Sequence, residues 1–211
     1  TKSMEDTLLK ASSVCVLFIG IGGAMSQMLK LTDGVLATSG SMMLIICFVL
    51  GGLVGELLNI EGAFERFGAW LRKKTHNESD SGFLSGFIHA SLTVCVGAMA
   101  IVGSIQDGLL GDASLLCAKA ALDAVIILVM TASMGKGCIF SAIPVAILQG
   151  GVTLLSRVIA PVMTDAAIAS LSFTGSVMIF CVGVNLIWGK TIKVANLLPT
   201  LVFAVIYTFL F

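Results

Sequence analysis

The chain is predicted to be all-α, a polytopic transmembrane helix bundle of about seven crossings, on three features of its sequence. Hydrophobic residues make up 57% and charged residues 11% of the chain, with a mean hydropathy of +1.07. Soluble domains carry roughly 25% charged residues, so this composition cannot cover a water-facing surface. The apolar residues are gathered into long runs, and a helix rising about 1.5 Å per residue needs about 20 of them to cross a hydrocarbon core about 30 Å thick. Runs such as Ser41–Leu50 and Ala124–Met130 lack the apolar/polar alternation of barrel strands.

In chain order, segments 11–29, 34–55, 81–106, 137–156, 166–189 and 194–211 contain no Asp, Glu, Lys or Arg, and 113–135 holds only Lys119 and Asp123. A cleaved signal peptide would explain one short run near the start, not runs that continue to the last residue. Residues 1–211 are therefore read as a single transmembrane domain. Gly51 with Gly55, and Gly82 with Gly86, stand at the four-residue spacing that lets helix backbones approach in lipid. Between the second and third segments, Leu57, Ile60, Phe64, Phe67 and Leu71 follow helical spacing, with charges elsewhere. Residues 61–74 are thus expected to form an amphipathic interfacial helix with Trp70 at headgroup level, followed by a polar loop, 75–80.

Seven crossings would put the N-terminus and the loops after the second, fourth and sixth segments on one side. That side holds Lys2, Lys10, Arg66, Arg72, Lys73, Lys74, Lys136, Lys190 and Lys193, against Lys30 and Arg157 opposite and Lys119 within the fourth segment. The rule that basic loops stay inside makes the first side cytoplasmic and places Phe211 outside.

Ionisable groups are costly within a membrane, so each is a functional candidate. Lys119 and Asp123 lie one helical turn apart and can pair. They form either a self-neutralising structural pair or a cation or proton site at Asp123 tuned by Lys119. In the fifth segment Gln149 is flanked by Gly150, Gly151 and Pro144, which together predict a break or kink that frees backbone groups for a ligand. The other reading is an ordinary kinked packing helix. His89 could shuttle protons or simply pack, and Glu56 and Asn185 are open in the same way. Gln106 and Asp107 mark the outer end of the third segment.

The balanced charge, twelve basic against twelve acidic residues, gives no basic face for nucleic acid. The six cysteines, Cys15, Cys47, Cys95, Cys117, Cys138 and Cys181, lack zinc or redox spacing and are read as reduced packing residues. With no zinc-protease helix, phosphate-binding glycine loop or nucleophile elbow, no enzyme activity, ATP hydrolysis, cofactor or metal is expected.

The run Val94-Cys-Val-Gly-Ala-Met-Ala-Ile-Val-Gly-Ser-Ile-Gln-Asp-Gly-Leu109 resembles the bacterial membrane family catalogued as domain of unknown function 554. The resemblance continues through Gly51-Gly52-Leu-Val-Gly55-Glu56, Lys119 with Asp123, Phe140-Ser-Ala-Ile-Pro144, Gln149-Gly150 and Ala195-Asn-Leu-Leu-Pro199. It implies a multi-pass protein of the bacterial inner membrane that acts as a transporter, and one further apolar helix ahead of the segment that starts at Ala11. Separately, Leu17-Phe-Ile-Gly20-Ile-Gly22 and Phe180-Cys-Val-Gly183-Val-Asn185 share a pattern five crossings apart, as in inverted repeats.

The expected function is secondary transport of a small solute or ion across the cytoplasmic membrane, by a path of Asp123, Lys119, Gln149, Gln106, Asp107, Asn185 and His89. A channel and a non-transporting scaffold are the alternatives, and homo-oligomers are left open. The orientation is tested by a cysteine placed at position 77. It should react with an impermeant maleimide only in opened cells, and labelling in intact cells would reverse the topology.

Overall fold

The computed structural model describes residues 2–32, 35–76, 81–95 and 98–210. Among them the chain is helical nearly throughout: α1 (Lys2–Met28), α2 (Ser41–Leu58), α3 (Ile60–Lys74), α4 (Phe83–Cys95), α5 (Ala98–Leu110), α6 (Ser114–Met134), α7 (Ala142–Leu154), α8 (Ser156–Ile159), α9 (Asp165–Trp188) and α10 (Pro199–Leu210). Short 3-10 turns at Lys136–Ser141 and Val194–Leu197 lead into α7 and α10. Four stretches are long and apolar enough to cross a membrane: Ser41–Leu58, Ser114–Met134, Lys136–Leu154 and Asp165–Trp188. A fifth is the pair Phe83–Cys95 and Met99–Leu110, if its 61° bend lies within one crossing, while Ser13–Met28 and Val194–Leu210 are apolar but shorter. Large side chains such as Phe18, Leu53, Leu128 and Leu154 face outward, as helices surrounded by lipid require.

The second predicted segment differs at its start, because Val35–Thr38 is not helical. It forms β2, paired antiparallel with β1 (Leu29–Thr32) in the register Leu29 to Thr38 and Thr32 to Val35. The sequence between the strands is Asp33-Gly34, a dipeptide suited to tight hairpins. Asn59 sets the corner after α2. Its left-handed backbone, φ 48°, ends α2, and its side chain accepts the Gly62 N–H to cap α3. Asparagine tolerates that conformation better than most residues. Residues 60–74 form the expected amphipathic helix, which buries Gly68 and Leu71 and leaves Trp70 exposed and stacked on Phe67. Of the polar loop after it, 77–80 lie outside the described residues.

The main core joins Val16 of α1, Leu71 of α3, Phe83, Phe87 and Leu92 of α4, and Met178 and Val182 of α9. Helices α1 and α9 cross antiparallel, and their contact is reciprocal. A Cβ on Gly20 would sit 2.5 Å from the Phe180 nitrogen, and one on Gly183 would sit 2.8 Å from the Leu17 side chain. The two similar motifs of the sequence therefore meet, each glycine facing the residue three before the other. On α2, Gly55 is pressed against the Asn196 carbonyl and Gly51 against the Thr200 backbone.

Polar contacts gather the basic segments at one end of the bundle. Lys190 pairs with Glu65 and Lys193 with Glu56, and Gly137 is backed onto Phe83, next to the start of α4. The crossing of α1 and α9 brings the N-terminus to that end as well. Gly20→Leu should lower stability by about 1–3 kcal/mol through overpacking, whereas Gly22→Leu, with no atom within 4 Å of its added Cβ, should change it little. Thermal unfolding in detergent makes this comparison.

Candidate functional site

The third apolar segment bends sharply between the two helices described for it. Helix α4 ends at Cys95, α5 begins at Ala98, and the two meet at 61°. The last carbonyls of a helix have no intrahelical partner, and in a membrane no water is at hand to replace it. Lys119 of α6 fills that place, its Nζ donating to the Val94 carbonyl at 2.8 Å. A cation at this end also opposes the negative pole of the helix. The same ammonium is ion-paired to Asp123 Oδ2 one turn further along α6, with side chains 8% and 23% exposed.

Self-neutralisation thus describes only half of the pair, because Lys119 divides its hydrogen bonds between a carboxylate and the end of another helix. Asp123 keeps a second oxygen, Oδ1, that bonds to none of the described residues. A cation or proton arriving there would weaken the carboxylate's hold on Lys119 and leave the Val94 carbonyl as its remaining acceptor.

The remaining candidates fall into three places. Gln106, Asp107 and Gln149 lie on α5 and α7, which pack together beside α6. All three are partly buried, and their side chains make no hydrogen bond to the described residues. Helix α7 runs unbroken through Gly150 and Gly151, and Pro144 occupies its first turn. There its absent N–H costs nothing, and two glycines at about 1 kcal/mol each do not break a packed helix. The break expected at Pro144, Gly150 and Gly151 thus lies instead between α4 and α5. Asn185 stands at the basic end and holds the loop after α9: its Oδ1 accepts from the Thr191 and Ile192 N–H groups and the Thr191 hydroxyl, while Nδ2 donates to the Ile192 carbonyl. His89 is also at that end, on α4, away from Asp123.

Two features were not visible from spacing alone. Val94 contributes through its backbone, which no side-chain motif announces. Glu61 lies on the polar side of the amphipathic helix yet is buried, its Oε2 accepting the Ala195 N–H at 3.0 Å while its own N–H donates to Asn196 Oδ1 at 2.7 Å. No group of three or more His, Cys, Asp or Glu side chains suited to a metal occurs among the described residues.

Apolar helices of spanning length around a broken one, with a buried ion pair at the break, define an α-helical membrane protein. The chain belongs to the family described as protein of unknown function DUF554, whose model matches residues 1–209. It is similar to the uncharacterized membrane protein YdfK of Bacillus subtilis (strain 168), 25% identical over 197 residues, which are 93% of this chain and 80% of that protein. It is similar also to the uncharacterized protein YqgA of Escherichia coli (strain K12), 27% identical over 168 residues, 76% of this chain and 70% of that one. No solved structure matches the chain.

The bridge is open to a mutant cycle. Lys119→Met should destabilise the protein by at most about 3–5 kcal/mol, the usual loss when one partner of a buried pair is removed. Adding Asp123→Asn should recover most of it but leave about 1–3 kcal/mol, because the Val94 carbonyl stays without a donor. Full recovery in the double variant, read by unfolding in detergent, would remove the bridge to α4.

Proposed function

We propose that the chain is a secondary transporter of a small solute or ion in the bacterial cytoplasmic membrane, with its basic end inside and no enzymatic activity. The observation that carries this is Lys119 joining the end of a broken helix to a carboxylate near the middle of α6. Secondary transporters build their sites near the midplane from discontinuous helices, whose ends and freed backbone groups hold the ligand. Ionisable residues at that depth mark ion or proton paths. Binding at Asp123 would shift Lys119 between carboxylate and carbonyl, which supplies the two-state element that coupling needs. Partly buried Gln106, Asp107 and Gln149, without side-chain partners among the described residues, would line the way along α5 and α7.

Flux into proteoliposomes, screened over amino acids, organic acids and monovalent cations, should saturate and follow an imposed ion gradient. Asp123→Asn should abolish that coupled uptake and lower the unfolding temperature, because Lys119 loses its counter-ion, and the coupling should stay lost when Lys119→Met is added and stability recovers. Near-native flux in this variant would take Asp123 out of the mechanism. Large conductance without saturation would favour a channel, and no flux with any solute a scaffold.

A further inference from the structure

A cavity lined by both polar and apolar side chains lies at the basic end, bounded by α3, α4, α9 and the loop after α9. Its volume is about 210 Å³, and the lining includes Glu61, Glu65, Ser85, His89, Asn185 and Lys190. Within that wall Glu61 is 5% exposed and His89 8% exposed.

The polar part of the wall offers several acceptors, set beside Leu84, Ile88, Leu92 and Val194. His89 Nδ1 donates to the Ser85 carbonyl at 2.8 Å, which leaves the lone pair on Nε2. That nitrogen has no hydrogen-bond partner among the described residues. Glu61 Oε1 and Glu65 Oε1 both turn to Lys190, at 3.1 Å from the first and in direct contact with the second. Two carboxylates thus share one ammonium, beside an imidazole whose Nε2 lone pair is unused among the described residues. Asn185 contributes no further acceptor, because three donors already fill its oxygen.

These groups select the chemistry of an occupant. Two carboxylates repel anions. Alkali and alkaline-earth ions seek oxygen and leave an imidazole nitrogen unused, while imidazole-seeking transition metals need a ligand set that the described residues do not form. A cation with N–H donors satisfies both the carboxylates and Nε2. Lys190 demonstrates the fit, since its own ammonium rests against both carboxylates, and the Glu65 carboxylate raises its pKa above the ordinary lysine value. Its side chain is 49% exposed, so it can swing into water at small cost. At about 30 Å³ per water, the cavity holds about seven waters' worth of solute, the size of a small amine.

We propose that this cavity binds a small primary-ammonium solute and that Lys190 is its tethered occupant, displaced when the solute enters. The site is separate from Asp123, and binding is read without flux, so its failure and the failure of the transport proposal are distinguishable.

The test is titration calorimetry of purified protein with ethylammonium chloride, against tetramethylammonium and potassium chloride at equal ionic strength. Lys190→Met should bind ethylammonium at least tenfold more tightly than the unaltered chain, and Glu61→Gln or His89→Phe added to it should remove that gain. Tetramethylammonium, without N–H donors, and potassium should give no specific heat. Equal binding of either, or no gain in a folded Lys190→Met protein, overturns the proposal. Should Lys190→Met fail to fold, ¹⁵N spectra of the unaltered chain decide. Its two histidines are His76 and His89, and saturating ethylammonium should shift Nε2 of His89 alone; no shift overturns the proposal.

Discussion

The hydrogen bond from Lys119 to the Val94 carbonyl joins two helices, α6 and α4, through one ammonium that Asp123 also pairs. A backbone acceptor left bare in hydrocarbon costs several kcal/mol, so a spanning segment can be interrupted only where another group serves the freed carbonyls. Lys119 does this from α6, and the charge it brings into the bilayer is in turn met by Asp123. Break, lysine and carboxylate are therefore one feature: α4 needs a donor, the donor carries a charge, and the charge needs a counter-ion.

Around that feature the bundle is held by close backbone contact rather than by expulsion of water, which gives no drive between helices already in lipid. Gly20 and Gly183 let α1 and α9 touch through their backbones, and Gly55 lets α2 rest on the chain just ahead of α10. The reciprocal glycine contact places the two similar motifs on facing helices of one crossing.

Polar residues are collected at the basic end, where they do structural work in water or near it. Asn59 turns the chain from α2 into α3, Glu61 and Asn196 exchange bonds with each other's backbone neighbourhood, and Asn185 ties the loop after α9. The same ties hold Lys190 over the cavity that contains His89. This end therefore combines tightly bonded corners with half-exposed lysines, Lys190 held by two carboxylates and Lys193 by one.

Composition and run length alone determined that the chain is a bundle of apolar helices, because a polypeptide this poor in charge must satisfy its backbone internally, and uninterrupted apolar runs leave only helices to do so. The pairing of Lys119 with Asp123 and the amphipathic helix before the polar loop were legible for the same reason: both depend on contacts between residues three or four apart. Tertiary structure decided what depends on distant partners. Gly150 and Gly151 suggested a break where α7 runs on unbroken, while the 61° bend between α4 and α5 has its Val94 carbonyl served by a lysine more than twenty positions away. Glu61 read as one more charge on a polar face until the turn at 194–197 folded over it. Local spacing encodes helices and their faces; which carbonyl a lysine reaches, and which carboxylate is buried, is settled only when the helices meet.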